Sequence, residues 1–146
     1  MTDPELAEAI RAGLTEAFPA ADVRRSAYSI VPVVVTELSE SGGTARPLIL
    51  VYPAPGMSEE RLARGAMAMR DHSINVLVAA KVSGTDVALA EPFEALTERV
   101  RDFLRARDFA SAKWLRATGF VPTLSDTIVY LNGMTCGYKS PWAGTR

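Results

Sequence analysis

The sequence predicts an α+β protein, because helical periodicity and strand alternation occur in different segments of the chain. Apolar residues recur at helical spacing in residues 4–18 and again in 91–107, so that each segment has one apolar face. Residues 72–82 have the period of two that is typical of a strand. We expect a mostly antiparallel sheet of four to five strands, with an N-terminal helix and a main helix in the C-terminal half packed on one face.

The first helix is predicted over residues 4–18. Its apolar side chains are spaced four residues apart and are Leu6, Ile10, Leu14 and Phe18. Asp3 suits the N-cap, Pro4 suits the first turn, and Pro19 ends the helix. The segment therefore predicts an amphipathic helix laid on the core.

Two strands are predicted next. Residues 30–38 are dense in β-branched side chains, and Pro32 among them favours an edge position or a bulge. A connection over residues 39–45, with glycines at its tip, leads to a second strand at 46–52, and the two strands are expected to pair antiparallel.

The middle of the chain is assigned a short helix and then a strand. Ser58 followed by acidic and basic residues can open a helix over residues 58–69. In the strand at 72–82 the core-facing side chains are the even-numbered ones: Ile74, Val76, Val78, Ala80 and Val82. A glycine-containing turn is expected at residues 83–86.

The main helix is predicted over residues 91–107. Its apolar stripe consists of Phe93, Leu96, Val100, Phe103 and Leu104, and burying these side chains contributes on the order of 10 kcal/mol gross. Strands are then expected at 114–120 and 127–140. Asn132-Gly133 is also a hairpin signal, so the last segment is either one long strand, which we favour, or a hairpin.

Composition limits the classes of function. The 146 residues fit one domain, 1–146, and 48% hydrophobic with 23% charged residues is ordinary globular usage. Sixteen basic and 17 acidic residues give a net charge of -1 without a basic block, which disfavours nucleic-acid binding as the main activity. No apolar stretch approaches the roughly 20 residues of a membrane span, and no signal peptide is expected. The single cysteine excludes an intramolecular disulfide.

The chain contains few residues of the types that form catalytic sites. A nucleophilic triad would need the only histidine, His72, together with Ser73, another serine or the only cysteine, Cys136. One imidazole and one thiol do not make a metal site, and the glycine spacing fits neither a dinucleotide-binding nor a phosphate-binding loop. We therefore expect no catalytic, cofactor-binding or metal-binding residues, a structural role for His72, and no enzymatic activity.

Candidate contact residues come from methionines and arginines, which are favoured at adaptable interfaces, and from one aromatic residue near the C-terminal end of the sequence. They are Met57, Arg61, Arg64, Met67, Met69 and Trp142. The alternatives are a loop that covers the domain's own core and a tryptophan that docks on its own domain.

The order of these elements resembles that of the tail-terminator proteins of long-tailed phages, which are also called tail-completion, neck or minor tail proteins. The likeness covers about residues 23–138. It rests on the arginine pair and strand of 23–38, the hairpin to 47–52, the strand 72–78 followed by Lys81, and the helix 93–104. The sequence departs from the pattern in the Pro-rich segment 53–57 and after Tyr138.

The resemblance implies a structural virion protein that assembles in the host cytoplasm. It implies a homo-oligomeric ring, expected to be a hexamer, that ends the tail tube and joins tail to head. Its partners would be the tail tube protein and a head-completion or connector protein, and DNA could pass through the ring without specific binding. The alternatives are a connector in the adjacent ring, a small α+β enzyme or binding protein, and a monomeric or dimeric adaptor.

Overall fold

The computed structural model describes residues 1–26, 47–54, 60–62, 68–81, 87–120 and 129–141. Its elements, in chain order, are α1 (Asp3–Ala17), β1 (Asp22–Arg25), β2 (Leu48–Pro53), β3 (Glu60–Leu62), β4 (Ala68–Lys81), α2 (Val87–Arg105), β5 (Lys113–Phe120) and β6 (Val129–Pro141). The predicted α+β class is confirmed, with both helices on one side of the sheet.

The sheet has the strand order β1-β2-β4-β6-β5, and the three-residue β3 pairs with β4 beside this path. The β1–β2 pair is parallel, and every other pair is antiparallel. The mostly antiparallel sheet is therefore confirmed. Five strands form the continuous order, and β3 is a sixth strand.

Helix α1 begins one residue before the predicted start. Thr2, not Asp3, is the N-cap: its hydroxyl accepts a hydrogen bond from the Glu5 backbone N–H at 3.3 Å, which satisfies one of the free donors of the first turn. Leu6, Ile10 and Leu14 are buried, as their spacing predicts. The carboxylate of Asp3 is directed instead to the sheet.

Helix α2 carries the second apolar stripe. Leu96, Val100 and Leu104 are buried against the sheet, and Phe103 meets Phe18 of the α1 C-cap edge-on, with ring centroids 5.8 Å apart. The helix begins earlier than predicted and ends two residues earlier, at Arg105. The predicted stripe is thus confirmed at these three positions, and its other two members, Phe93 and Phe103, are half-buried.

The main core lies between the helices and the sheet. Its strand residues come from β2, β4 and β6, and they are Ile49, Val51, Ile74, Val76, Val78, Met134, Cys136 and Tyr138. The even-numbered face predicted for β4 therefore faces the core at residues 74, 76 and 78. Leu77 is also buried, in a smaller cluster with Leu50 and Tyr52, so β4 is apolar on both faces at its centre.

Strand β6 is one long strand without a hairpin at Asn132-Gly133. It pairs with β4 from Met69↔Pro141 to Lys81↔Val129. A side chain at Gly133 would meet the ring of Phe120, because an added Cβ would lie 2.5 Å from the ring Cζ. The glycine provides room for an aromatic ring from the neighbouring strand, which is a requirement of packing and not of a turn.

One prediction for the first half of the chain is wrong, and one strand there was not predicted. Residues 60–62 and 68–69 form strands instead of a helix, since their backbones pair with one another across β3 and β4. Residues 22–25 form β1, which we did not predict because a segment with two adjacent arginines shows no alternation. The strand at 30–38, its connection at 39–45 and the turn at 83–86 lie outside the described residues.

Candidate functional site

A hydrogen-bonded series of three polar side chains joins α1 to the sheet. His72 on β4 is 1% exposed, and its Nδ1 lies 2.7 Å from Asp3 Oδ1 at the first residue of α1. The other ring nitrogen, Nε2, lies 2.6 Å from the hydroxyl of Ser140 on β6. We call Asp3, His72 and Ser140 the histidine network. Both nitrogens of the buried imidazole are thereby satisfied.

The histidine network has the order of a nucleophilic triad, carboxylate to imidazole to hydroxyl. A nucleophile must reach a substrate, however, and the Ser140 side chain has no exposed surface. The arrangement instead links the N-terminus of α1 to the two longest strands. Asp3 and Ser140 are 69 and 68 residues from His72 in the sequence, so sequence reasoning could not select them as its partners.

The only cysteine is held as a neutral thiol. Cys136 is buried on the core face of β6, and this burial raises its pKa to about 12, although the charge of Arg101 acts in the opposite direction. A thiol that does not ionise is neither a good nucleophile nor a good metal ligand. Within the described part of the chain, no group of three or more His, Cys, Asp or Glu side chains could hold a metal ion.

Tyr138 lies between the histidine network and Cys136 along β6. Its ring is fully buried and contacts Phe109 and Trp114 edge-on, at centroid distances of 6.0 and 5.6 Å. The phenol oxygen has no hydrogen-bond partner among the described residues. Burial raises the pKa of Tyr138, so this end of the core has a neutral hydroxyl that costs stability.

The predicted contact residues fall mostly outside the described residues: this applies to Met57, Arg64, Met67 and Trp142. Arg61 and Met69 are described and are directly paired, Arg61 on β3 with Met69 on β4. On its other side Met69 pairs with Pro141 of β6. One row of the sheet thus brings together Arg61, Met69 and Pro141.

This row joins two regions that are distant in the sequence. Trp142 follows Pro141 directly in the chain, and Arg64 and Met67 belong to the five residues that connect β3 to β4. Among the described residues, Arg61, Met69 and Pro141 therefore lie in one row at one end of the sheet. We call this end, defined by Arg61, Met69 and Pro141, the contact end.

A basic groove lies at the opposite side of the molecule from β1, between α2 and β5. Arg101, Arg105 and Arg116 line it together with Trp114, Ala117 and Gly119, around a volume of about 360 Å³. Sequence reasoning missed this groove because its arginines do not form a block. The available signal was the four-residue spacing of Arg101 and Arg105, which places both on one side of a helix.

In the ranges that the structure covers, neither helix is long and apolar enough to cross a membrane. No protein-family model matches the sequence, and no curated protein matches it. Among solved structures the chain is similar to a protein chain of the virion of a native gene transfer agent (GTA) particle, with a TM-score of 0.46 and 18% identity. The match covers 93% of this chain and 92% of that chain. A TM-score below 0.5 does not establish a shared function for the two chains.

Proposed function

We propose that this protein is a structural subunit of a phage-like particle that forms a ring, expected to be a hexamer, at the end of the tail tube. In this role the ring ends tube growth and joins the tail to the head. The tail tube protein and a head-completion or connector protein are its partners, and DNA passes through without specific binding. The proposal combines the sequence resemblance with the geometry of the contact end.

The observation that carries the proposal is the row Arg61, Met69 and Pro141. Two residues selected from the sequence as interface candidates, Arg61 and Met69, lie in one row of the sheet with Pro141, which directly precedes the candidate Trp142 in the sequence. A ring subunit needs such a concentrated surface, because it must bind neighbours above, below or beside it through a few strongly binding residues. We propose that Met57, Arg61, Arg64, Met67, Met69 and Trp142 belong to that surface.

The histidine network lies close to the contact end. Arg70 pairs with Ser140, and His72 pairs with Tyr138, so the network begins one row from Met69. A buried and fully paired imidazole holds β4, β6 and the first residue of α1 in one arrangement. This rigidity suits a surface that must present the same geometry in every subunit, and we assign the network to that structural role and not to catalysis.

Tails made without this protein test the proposed function. We expect tubes of uncontrolled length or finished tails that cannot join heads, as seen by electron microscopy. A map of the particle then separates the two ring positions: contact with the tail tube protein supports a terminator, and contact with portal and adaptor rings alone supports a connector. A protein that stays monomeric both in solution and on tubes would contradict the ring.

A single substitution tests the contact end itself. Trp142→Ala should abolish tail completion and leave the urea unfolding midpoint close to that of the wild type, because an interface anchor contributes to binding and little to the isolated fold. Lys81→Gln, at the far end of the β4–β6 ladder, is the control and should complete tails normally. Normal tail completion by Trp142→Ala would remove Trp142 from the proposed surface.

A further inference from the structure

The basic groove contains more positive charge than the neighbouring carboxylates neutralise. Arg101 donates to Glu98, with Nη1 3.2 Å from Oε1. Arg105 and Arg116 are exposed and form no ion pair within the part of the chain that the structure describes. The three arginines that line the groove thus have one carboxylate partner among the described residues, Glu98. The groove therefore suits an anionic occupant.

The exposed side of α1 offers the complementary charge. Glu5, Glu8 and Glu16 lie along it, with the small Ala12 between them. Glu8 is already bound, since its Oε1 lies 2.6 Å from Arg11 Nη2. Glu16 is exposed and makes no ion pair among the described residues, and the last turn of α1 has no basic residue.

The position of Glu16 is unfavourable in the isolated subunit. The C-terminal end of a helix carries partial negative charge, so a carboxylate there is destabilising and a nearby cation is stabilising. A guanidinium supplied from outside would reverse this effect. Guanidinium groups bind carboxylates through paired hydrogen bonds, which gives geometric selectivity as well as attraction.

The two charged surfaces lie at opposite edges of the sheet. Helix α1 covers β1 and β2 at the start of the strand order, whereas the groove borders β5 at its end. In a ring, successive copies meet head to tail through two unlike surfaces. Neighbours arranged along the strand order would bring the groove of one copy to the α1 of the next.

We propose that the basic groove binds the α1 carboxylates of a second copy of this chain, with Glu16 as the main contact of Arg105 and Arg116. This inference rests on the proposed ring and names its subunit interface. Covering these guanidinium groups with a neighbour also keeps them from the DNA, because exposed arginines would hold the phosphates of a passing duplex.

Charge reversal on either side tests the interface. Arg116→Glu and Glu16→Arg should each raise the dissociation constant of self-association by roughly tenfold or more, measured by sedimentation velocity at low salt, both free and with tail tubes. An equal mixture of the two variants should restore assembly, because each mutated surface then meets its complement. Glu16→Arg should stabilise the isolated helix, so loss of assembly by that variant cannot result from unfolding.

Arg99→Glu is the matched control, because Arg99 is exposed on the same helix but lines a different cavity, between α1 and α2; its assembly should equal that of the wild type. If both charge-reversal variants form rings as the wild type does, or if mixing the two variants does not restore assembly, the inference is overturned and the proposed function remains intact. If the wild-type protein forms no ring, either free or with tail tubes, both the inference and the proposed function are wrong. If Arg116→Glu abolishes binding of a 20-base-pair duplex with self-association unchanged, the groove is a phosphate site and the inference is wrong.

Discussion

The two helices pack on the same face of the sheet, but their polar contacts with it differ. Each buries three large aliphatic side chains: Leu6, Ile10 and Leu14 in α1, and Leu96, Val100 and Leu104 in α2. Helix α1 is bound at its first residue, through Asp3 to His72. Helix α2 is bound at its middle, through the hydroxyls of Thr97 and Tyr130, 2.9 Å apart.

The different positions of these polar contacts leave different parts of the two helices available for binding partners. The terminal bond of α1 fixes the N-terminus of the helix beside the contact end and does not involve the exposed glutamates of α1. The central bond of α2 fixes the helix without using its last turns, so Arg101 and Arg105 remain available to line the basic groove. One helix is thus tied to the proposed partner surface, and the other contributes to the proposed subunit interface.

The largest expected effect is the loss of stability when a core leucine is truncated, and this loss should be equal for the two helices. Leu6→Ala and Leu104→Ala should each lower the free energy of unfolding by about 2–5 kcal/mol, because each leaves a cavity in a close-packed core. Urea unfolding followed by circular dichroism measures this loss. Leu115→Ala, at a 49% exposed position on β5, is the control and should change stability by less than about 0.5 kcal/mol. A much smaller loss at either position would show that the two helices are not equivalent parts of the core.

The next effect should distinguish α1 from α2. His72→Ala should cost about 2–3 kcal/mol, because Asp3 loses this bond and the buried Ser140 hydroxyl loses its partner. Ser73→Ala, at the neighbouring exposed position, should be close to neutral in the same urea experiment. Adding Ser140→Ala to His72→Ala should recover part of the loss, since the unpaired hydroxyl is then removed; no recovery would show that the hydroxyl finds another partner.

The sequence predicts the buried apolar stripes of the two helices and little of their polar contacts with the sheet. The helix stripes follow from periodicity, because Leu6 and Ile10, or Leu96 and Val100, must share a face wherever the helix packs. The bond between Asp3 and His72 depends on how the helix docks, which no local pattern encodes. Thr2 replaces Asp3 as the cap because both residue types suit that position, and the fold uses the aspartate for the histidine.

The strand errors have a similar cause. Residues 60–62 and 68–69 contain helix-forming types such as Glu60, Arg61 and Met69, yet their backbones complete the edge of β4. Tertiary pairing overrides a weak local preference when it satisfies backbone hydrogen bonds. The candidate contacts could be selected by residue type, but the pairing of Met69 with both Arg61 and Pro141 could not be predicted, because it depends on strand register.

Alkaline pH tests the core on the α2 side, where Arg101 acts on Cys136. The pKa of this thiol is raised from 9.0 to about 12 in the folded protein, so above pH 9 the unfolded chain releases a proton that the folded chain retains. Stability should therefore be level below pH 9 and then fall by about 1.4 kcal/mol per pH unit, and more steeply above pH 10, where the raised pKa of the buried Tyr138 phenol adds a second retained proton. Urea midpoints across this range measure the slope, and Cys136→Ala should make it shallower. An unchanged slope in that variant would exclude the thiol as its source.

The smallest expected effect compares the same side chain in the two helices. Thr97 and Thr15 each donate to the backbone carbonyl four residues earlier, at 2.8 Å in both cases, but only Thr97 also bonds to Tyr130 of the sheet.

Replacement by valine keeps the shape and nearly the same helix propensity. Thr97→Val should therefore cost about 1 kcal/mol and Thr15→Val close to nothing, as measured by urea unfolding. Because Asn132 Nδ2 also lies 3.3 Å from the Tyr130 hydroxyl, the tyrosine keeps one partner, and the loss should stay below that of His72→Ala. A larger loss at Thr97 would mean that the central bond of α2, and not the terminal bond of α1, is the stronger polar link between helices and sheet.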